Sequence, residues 1–412
     1  MSDVVVLPED LIVEILSWIP VKPLIRFRCV SKSWNSLIFT PKFIKLHFQR
    51  SPKYTHIFVN FPFPFIKYDF KPSNFASICS LRDLFESPSS AIRHGRRLVG
   101  IRDGSYPDCA NVKIFCKGLV CLLYYDCGYD NLKEHYYFRF WNPATKLISG
   151  ESPRFFLCRS NYRSTDVQFG FGFDNLSDTF KVVAMAVDIK SQQREVRVHC
   201  LGDMDWRKVL IPCGHRILSF EGKFVGGTIN WLACPTVVFG SNTTQIDPVV
   251  TVHQLVIFSF DLKNETYKYI PMSIPIDSKP PMSLLIDSSP PELGILNHCL
   301  CLYYDRMETF VVWLMREFGD DKSWTQLLNI SYEHLQIHKP FCTPICMSND
   351  EELVLLQCSD SQWVVYKKRD NRINLIEEFH EEGEDKGILV PSFKSGRVAL
   401  IDVTSGHRLR TF

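Results

Sequence analysis

Apolar positions in residues 1–50 recur at helical spacing. Leu11, Ile15 with Leu16, Trp18 and Ile19 fall three to four residues apart, the period of an amphipathic helix. Pro8 suits the start of that helix, Glu9 and Asp10 suit the positive end of its dipole, and Pro20 stops it. Lys22-Pro23 opens a second short helix through Leu24, Ile25, Phe27 and Val30, since proline is tolerated in a first turn. Ser31 is placed to cap a third helix carrying Trp34, Leu37 and Ile38, which ends before Thr40-Pro41. Residues 41–48 read as a last short helix. Helices this short bury little area and are marginal alone. Yet Leu7, Pro8, Leu11, Ile15, Ile19, Val21, Leu24, Val30 and Trp34 exceed what one small core can hide. Either some of them pack on the downstream chain, or the spare face docks a partner.

The pattern then changes period. Ile57–Phe65 is strand-like, aromatic and broken by prolines, and 71–110 reads as loops around one or two strands. The basic cluster Arg93-His94-Gly95-Arg96-Arg97 in that stretch reads as a solvated loop, because no aromatic stacking partners interleave with it. From 111 onward, short runs of Val, Ile, Phe, Tyr and Trp alternate with Asp, Asn, Gly, Ser and Pro turns. Gly118–Asp126 is echoed at Leu300–Asp305, with weaker copies at Phe180–Ala184, Gly227–Ala233, Leu353–Leu356 and Arg397–Ile401. A second series, each member a strand, polar turn and strand, runs through Phe140–Leu147, Val198–Val209, Ile257–Tyr267, Val311–Leu327 and Trp363–Ile376. A two-part β unit repeating roughly every 45 to 70 residues predicts the blades of a β-propeller. Six blades are expected, or seven if the Ile57 strand starts one of its own. Two β-sandwich domains are the alternative.

Both halves resemble known families. Leu7-Pro8, Leu11, Glu14-Ile15-Leu16, Ile19-Pro20-Val21-Lys22, Leu24, Arg26-Phe27-Arg28-Cys29-Val30-Ser31-Lys32 and Trp34 together resemble a plant F-box, departing from it only by Ile19 where leucine is usual. Trp141-Asn142-Pro143-Ala144-Thr145, Phe169–Asp174 through Asp178–Val183, Gly227 with Asn230-Trp231-Leu232, Ser259–Leu262 and Val312–Gly319 with Ser323-Trp324 resemble the F-box-associated domain of plant proteins. That family is often labelled F-box/kelch-repeat; only one Gly-Gly doublet, Gly226-Gly227, is present here, so the kelch label is loose. The expected organisation is α+β and multidomain, with an F-box at 1–48 and an all-β propeller at 49–412. The resemblance implies docking onto a Skp-type adaptor and through it onto a cullin–RING ubiquitin ligase. Leu7, Pro8, Leu11, Ile15, Leu16, Ile19, Pro20 and Val21 are then expected to form the docking edge, with Leu24, Val30 and Trp34 shared between core and interface.

Composition adds limits. At 412 residues, 45% apolar and 13% aromatic, the chain is globular rather than disordered. A net charge of +2 gives no global field for nucleic acid or a membrane surface. No apolar run is long enough to span a bilayer. Acidic, helix-forming residues begin by Glu9, so no secretory signal is expected, and the chain is placed in the cytoplasm, the nucleus or both. Fifteen cysteines scattered singly read as reduced, mostly buried thiols rather than a disulfide framework.

Catalytic motifs are missing. There is no P-loop, Gly-x-Ser-x-Gly elbow or His-Glu-x-x-His pair, and Phe169-Gly170-Phe171-Gly172 lacks the third glycine and helix of a dinucleotide site. Cys342 and Cys346 with His334 and His338 have zinc-like spacing but lie in strand-rich sequence without further cysteine pairs. The acidic run Glu377–Asp385 reads as a solvated loop or a contact for a basic substrate, and the proline-rich 271–292 as a connector or a substrate loop. The chain is therefore expected to be a non-catalytic adaptor without cofactor or metal, holding an unidentified protein for ubiquitination. The alternatives are a scaffold that delivers no substrate and an enzyme of the galactose-oxidase type.

Overall fold

The computed structural model describes residues 7–50, 55–61, 75–80, 85–86, 96–98, 112–127, 133–142, 147–158, 160–162, 167–188, 190–235, 254–274, 291–306, 308–337, 342–358, 363–376 and 398–402. Four helices come first: α1 (Glu9–Trp18), α2 (Val21–Phe27), α3 (Lys32–Ile38) and α4 (Pro41–Arg50). Their ends follow local chemistry. Pro8 and Pro20 precede α1 and α2, Ser31 Oγ accepts the Trp34 N–H at 3.1 Å, and Thr40 Oγ1 accepts the Phe43 N–H at 3.3 Å.

The rest is antiparallel sheet. β1 (Thr55–Phe61), β2 (Phe75–Ser80) and β3 (Arg96–Leu98) follow the helices. Arg96 and Arg97, expected in a loop, instead pair with Ile78 and Ser77, while 93–95 lies outside the described residues. Next come β4 (Val112–Cys116), β5 (Leu119–Cys127), β6 (Lys133–Asn142), β7 (Leu147–Ile148) and β8 (Phe155–Cys158), with β7 and β8 both paired to β6. A third sheet holds β9 (Gln168–Asp174), β10 (Thr179–Asp188), β11 (Gln193–Cys200) and β12 (Arg207–Pro212). A fourth holds β13 (His215–Ile217), β14 (Lys223–Val225), β15 (Thr228–Pro235), β16 (Val256–Asp261) and β17 (Thr266–Pro271). β18 (Glu292–Leu296), β19 (Cys299–Arg306), β20 (Thr309–Met315) and β21 (Trp324–Ser331) form a fifth. β22 (Thr343–Met347), β23 (Leu353–Gln357), β24 (Trp363–Lys367) and β25 (Arg372–Ile376) form a sixth. The last strand, β26 (Val398–Asp402), returns to β1, with Thr55 opposite Asp402 and Val59 opposite Val398.

Strands at the starts of these sheets touch in succession. β4 meets β9, β9 meets β14 and β15, these meet β18, β18 meets β22, β22 meets β26, and β26 meets β4. The cores lie between consecutive sheets. One cluster joins Phe138 and Phe140 to Phe169 and Phe171, another joins Val196 and Val198 to Trp231 and Phe258. In the third sheet burial falls from the first strand to the last: all of β9 is buried, whereas β12 is mostly exposed. Covered on both faces, an inner strand has no polar face to show. The glycines of Phe169-Gly170-Phe171-Gly172 therefore serve packing. A Cβ on Gly170 would lie 2.5 Å from Ile229 Cγ2, and one on Gly172 2.5 Å from Phe224 Cδ2.

Candidate docking site

The helical bundle has a core of its own. Leu16, Leu24, Ile38 and Phe43 are buried together, with Ile12, Val13, Ile19, Phe27, Trp34 and Leu37 packed around them. Phe27 meets Trp34 edge-on at 5.9 Å between ring centroids. His47 is buried beside this core, and its Nε2 lies 2.7 Å from the carbonyl oxygen of Ile19. Burial lowers the imidazole pKa against the opposing effect of that contact, so a neutral ring donates to the carbonyl and ties α4 to the end of α1.

Outside this core, α1 carries a stripe that none of the described residues covers. Leu11, Ile15 and Trp18 are 48%, 53% and 55% exposed, at four- and three-residue intervals that bring them to one face, and Leu7, two residues before the helix, is 50% exposed. Val30 is 60% exposed. The stripe has a fixed polar edge. Trp18 Nε1 donates to Glu14 Oε1 at 3.3 Å, Arg50 pairs with Glu14, and the Arg50 guanidinium sits 5.9 Å from the Trp18 ring. The hydrogen bond from Arg50 leads in lowering the Glu14 pKa.

Two expected docking residues are elsewhere. Leu16 is 1% exposed and Leu24 is fully buried, so both are bundle core; Leu16 is set apart from the outward Ile15 by one position, about 100° around the helix. Trp34 and Ile19 pack against the core while keeping some exposure, Pro20 is half-buried, and Pro8 is exposed. Val21 opens α2, and its side chain lies outside the described ones. Trp18 is the residue that sequence reasoning left out of the docking set; its spacing of three from Ile15 was the available signal.

In the β part, the strongest polar cluster joins the third and fourth sheets. Lys181 Nζ contacts Asp174 Oδ2 and Glu265 Oε1, each at 3.1 Å, and donates to the Leu262 carbonyl at 2.5 Å. Arg207 reaches Glu265 at 2.6 Å and Asp203 at 2.8 Å. This is a clamp between sheets, two cations held among three carboxylates. His334 Nε2 lies 3.0 Å from the Asn371 carbonyl oxygen, and Cys342 Sγ lies 3.3 Å from Cys358 Sγ. His338 lies outside the described residues, as do 275–290 of the proline-rich stretch and the acidic run 377–385. Among the described residues, no three His, Cys, Asp or Glu side chains gather as a metal site, and no helix is long and apolar enough to cross a membrane.

The profile of the F-box domain matches residues 6–46, and that of the F-box associated beta propeller domain matches 103–381. The chain belongs to the F-box associated propeller family. An F-box/kelch-repeat protein of Arabidopsis thaliana is 29% identical over 339 residues, covering 79% of each chain. The F-box protein CPR1 of the same plant is 20% identical over 393 residues, covering 90% of this chain and 84% of its own. Among solved structures, prolyl oligopeptidase B from Galerina marginata superposes with a TM-score of 0.37 at 10% identity, over 79% of this chain and 51% of that one. An acylaminoacyl peptidase from Pyrococcus horikoshii gives 0.35 at 10% identity, over 66% and 39%. At such scores neither bears on function. The exposed α1 stripe thus lies within the F-box, and the clamp within the F-box associated domain.

Proposed function

We propose that this protein is the substrate receptor of a Skp–cullin–F-box ubiquitin ligase, in which the F-box docks the Skp-type adaptor and the associated domain holds a protein for ubiquitination. The observation that carries the reading is the uncovered stripe Leu7, Leu11, Ile15 and Trp18 on a bundle whose core is already closed. An apolar face of this kind, with packing already satisfied beneath it, suits a partner's helices. Pro8, Ile19, Pro20, Val21, Val30 and Trp34 extend the edge, while Leu16 and Leu24 support it from below. The associated domain is a six-bladed ring in this reading. Support comes from the succession of touching first strands and from β26 pairing with β1. The chain then leaves α4 and enters that ring at Thr55, beside Asp402, leaving the opposite ends of the sheets to substrate.

No bond is made or broken by the chain itself in this role. Two folded modules joined by a short connection hold a substrate lysine near the charged ubiquitin carrier, raising its effective concentration. The protein acts in the cytoplasm, the nucleus or both. The test is co-purification of the full chain with its Skp-type adaptor. The double substitution Leu7→Ala with Pro8→Ala should abolish capture while the β part keeps its melting transition; capture by the double mutant at the wild-type level overturns the assignment. Substrate levels unchanged on depletion of the protein would leave only a scaffold.

A further inference from the structure

Cys342 and Cys358 bracket the first hairpin of the sixth sheet: one comes immediately before β22, the other immediately after β23. Their sulfurs lie 3.3 Å apart, with the Cys342 thiol donating to Cys358 Sγ. The register explains the approach. Thr343 pairs with Gln357 and Pro344 with Leu356, so the next position outward sets Cys342 against Cys358. The irregularity in this pairing falls beyond Pro344, on the side away from the cysteines. Proline has no N–H to give a ladder, so Pro344 and Leu356 occupy a non-hydrogen-bonded site, and the alternation of antiparallel pairs makes the Cys342 position the same type. Opposed Cα atoms at such a site come to about 4.5 Å, inside the roughly 4.4–6.8 Å that a disulfide spans. Joining the two sulfurs needs no room beyond what they already fill. Among the described residues, no other cysteine in a ladder stands opposite a second one.

The surroundings set the chemistry. Cys342 is 5% exposed and Cys358 1%, and both pack with Tyr332, Leu335 and Ile337. The hydrogen bond to Cys358, then burial and the charge of Asp305, raises the Cys342 pKa, and the Tyr332 hydroxyl donates to that same carboxylate. The proton is thus held on Cys342, and Cys358 is the receiving sulfur. Burial at this depth shuts out a bulky oxidant such as glutathione disulfide. A peroxide, close to water in size, needs only a brief local opening of the sheet end. A lone thiol that meets peroxide climbs from the sulfenic to the sulfinic acid, whereas a second thiol in contact captures the sulfenic stage as a disulfide.

We propose that Cys342 and Cys358 form a reversible cross-strand disulfide when the protein meets a peroxide. The Cys358 sulfur attacks one peroxide oxygen: an S–O bond forms as the O–O bond breaks, and the leaving oxygen takes the thiol proton away as water. The Cys342 sulfur then displaces the hydroxyl of that sulfenic acid. An S–S bond forms as the S–O bond breaks, and the Cys342 proton leaves in a second water. The two sulfurs give up two electrons in all, and the peroxide takes them. The bond holds β22, which touches both β18 and β26, to β23 at the end away from their turn.

The purified full chain is treated with hydrogen peroxide under native conditions, quenched with catalase, unfolded in an alkylating reagent and mapped by peptide mass spectrometry. The expected product joins the Cys342 and Cys358 peptides, about 2 Da below their summed mass for the two hydrogens lost, and dithiothreitol returns both thiols. Cys121 and Cys301, fully buried, should be alkylated as thiols throughout. The oxidised chain should melt about 5 °C higher, from closure of a loop of this length. Cys358→Ala should lose both the crosslink and the shift. Both thiols free once the exposed Cys29 is fully oxidised, a crosslink that forms only in urea, pairing of either residue with another cysteine, or an unchanged melt of the oxidised chain overturns the proposal. Adaptor capture plays no part in these measurements, so the ligase reading stands or falls apart from them.

Discussion

Ile15 and Leu16 are neighbours in sequence with opposite environments, 53% and 1% exposed. Leu16→Ala opens a cavity in a core of four fully buried residues and should cost about 2–5 kcal/mol, enough to unfold so small a bundle. Ile15→Ala should leave helical circular dichroism unchanged and weaken adaptor capture, so the two measurements together separate folding from docking. Glycine spacing is equally specific. Gly170→Ala would press a methyl group onto Ile229 and Trp231, at 2.5 and 2.7 Å, and should destabilise the β part by about 1–3 kcal/mol. Gly150→Ala meets nothing within 4 Å and should be near neutral; equal denaturation midpoints for the two variants would contradict the packing argument.

Asp174 gives a pH signature. Burial pushes its carboxyl pKa up, but the Ser177 hydroxyl, the Leu176 N–H and Lys181 outweigh it and hold the group at about 2. In the unfolded chain it titrates near 3.9, approximately. Its contribution is complete above that unfolded value and is lost as pH falls toward the folded one. Asp174→Asn should lower stability at neutral pH by about 2 kcal/mol and flatten the acid loss between about pH 4 and 2, as read by denaturant titrations across that range.

At the scale of elements, helix starts were legible because they rest on local chemistry, whereas α2 stops at Phe27, short of the expected Val30. Proline at the starts of α1 and α2 and the Ser31 cap act within one turn. Ser31→Ala should cost about 1 kcal/mol and lower the bundle's melting temperature, whereas Ser33→Ala, one of its hydroxyl neighbours, should cost less. The paired strands of the second series were legible for a similar reason. Asp261 Oδ1 accepts the N–H groups of Lys263 and Asn264 at 2.8 and 3.0 Å, and Asp320 Oδ1 that of Lys322 at 2.9 Å, so turn residues signal their own hairpins. The first series misled at one point. Five of its copies are second strands of their sheets, but residues 398–401 of the last copy lie in β26, which stands at the first position beside β1. Apolar composition marks a buried strand without saying which neighbour it pairs with.

For the molecule as a whole, the pairing of β26 with β1 joins strands from opposite ends of the β part. A strand edge left open invites pairing with other chains. A chain ended at Gly396 should lose the β1 edge contact, unfold less cooperatively and aggregate on size-exclusion chromatography. A truncated chain that stays monomeric with the wild-type melt would show that closure contributes little. Such long-range pairing closes a large loop before any contact repays it, so folding of the β part should be slow compared with the helical bundle.

The sequence by itself determined the short helices, the alternation of strand and turn, and the apolar excess of the first segment, because periodicity, caps and turn side chains act over a few residues. Only the tertiary structure decided which face of α1 is core and which is free, since a single-residue offset around a helix exchanges the two.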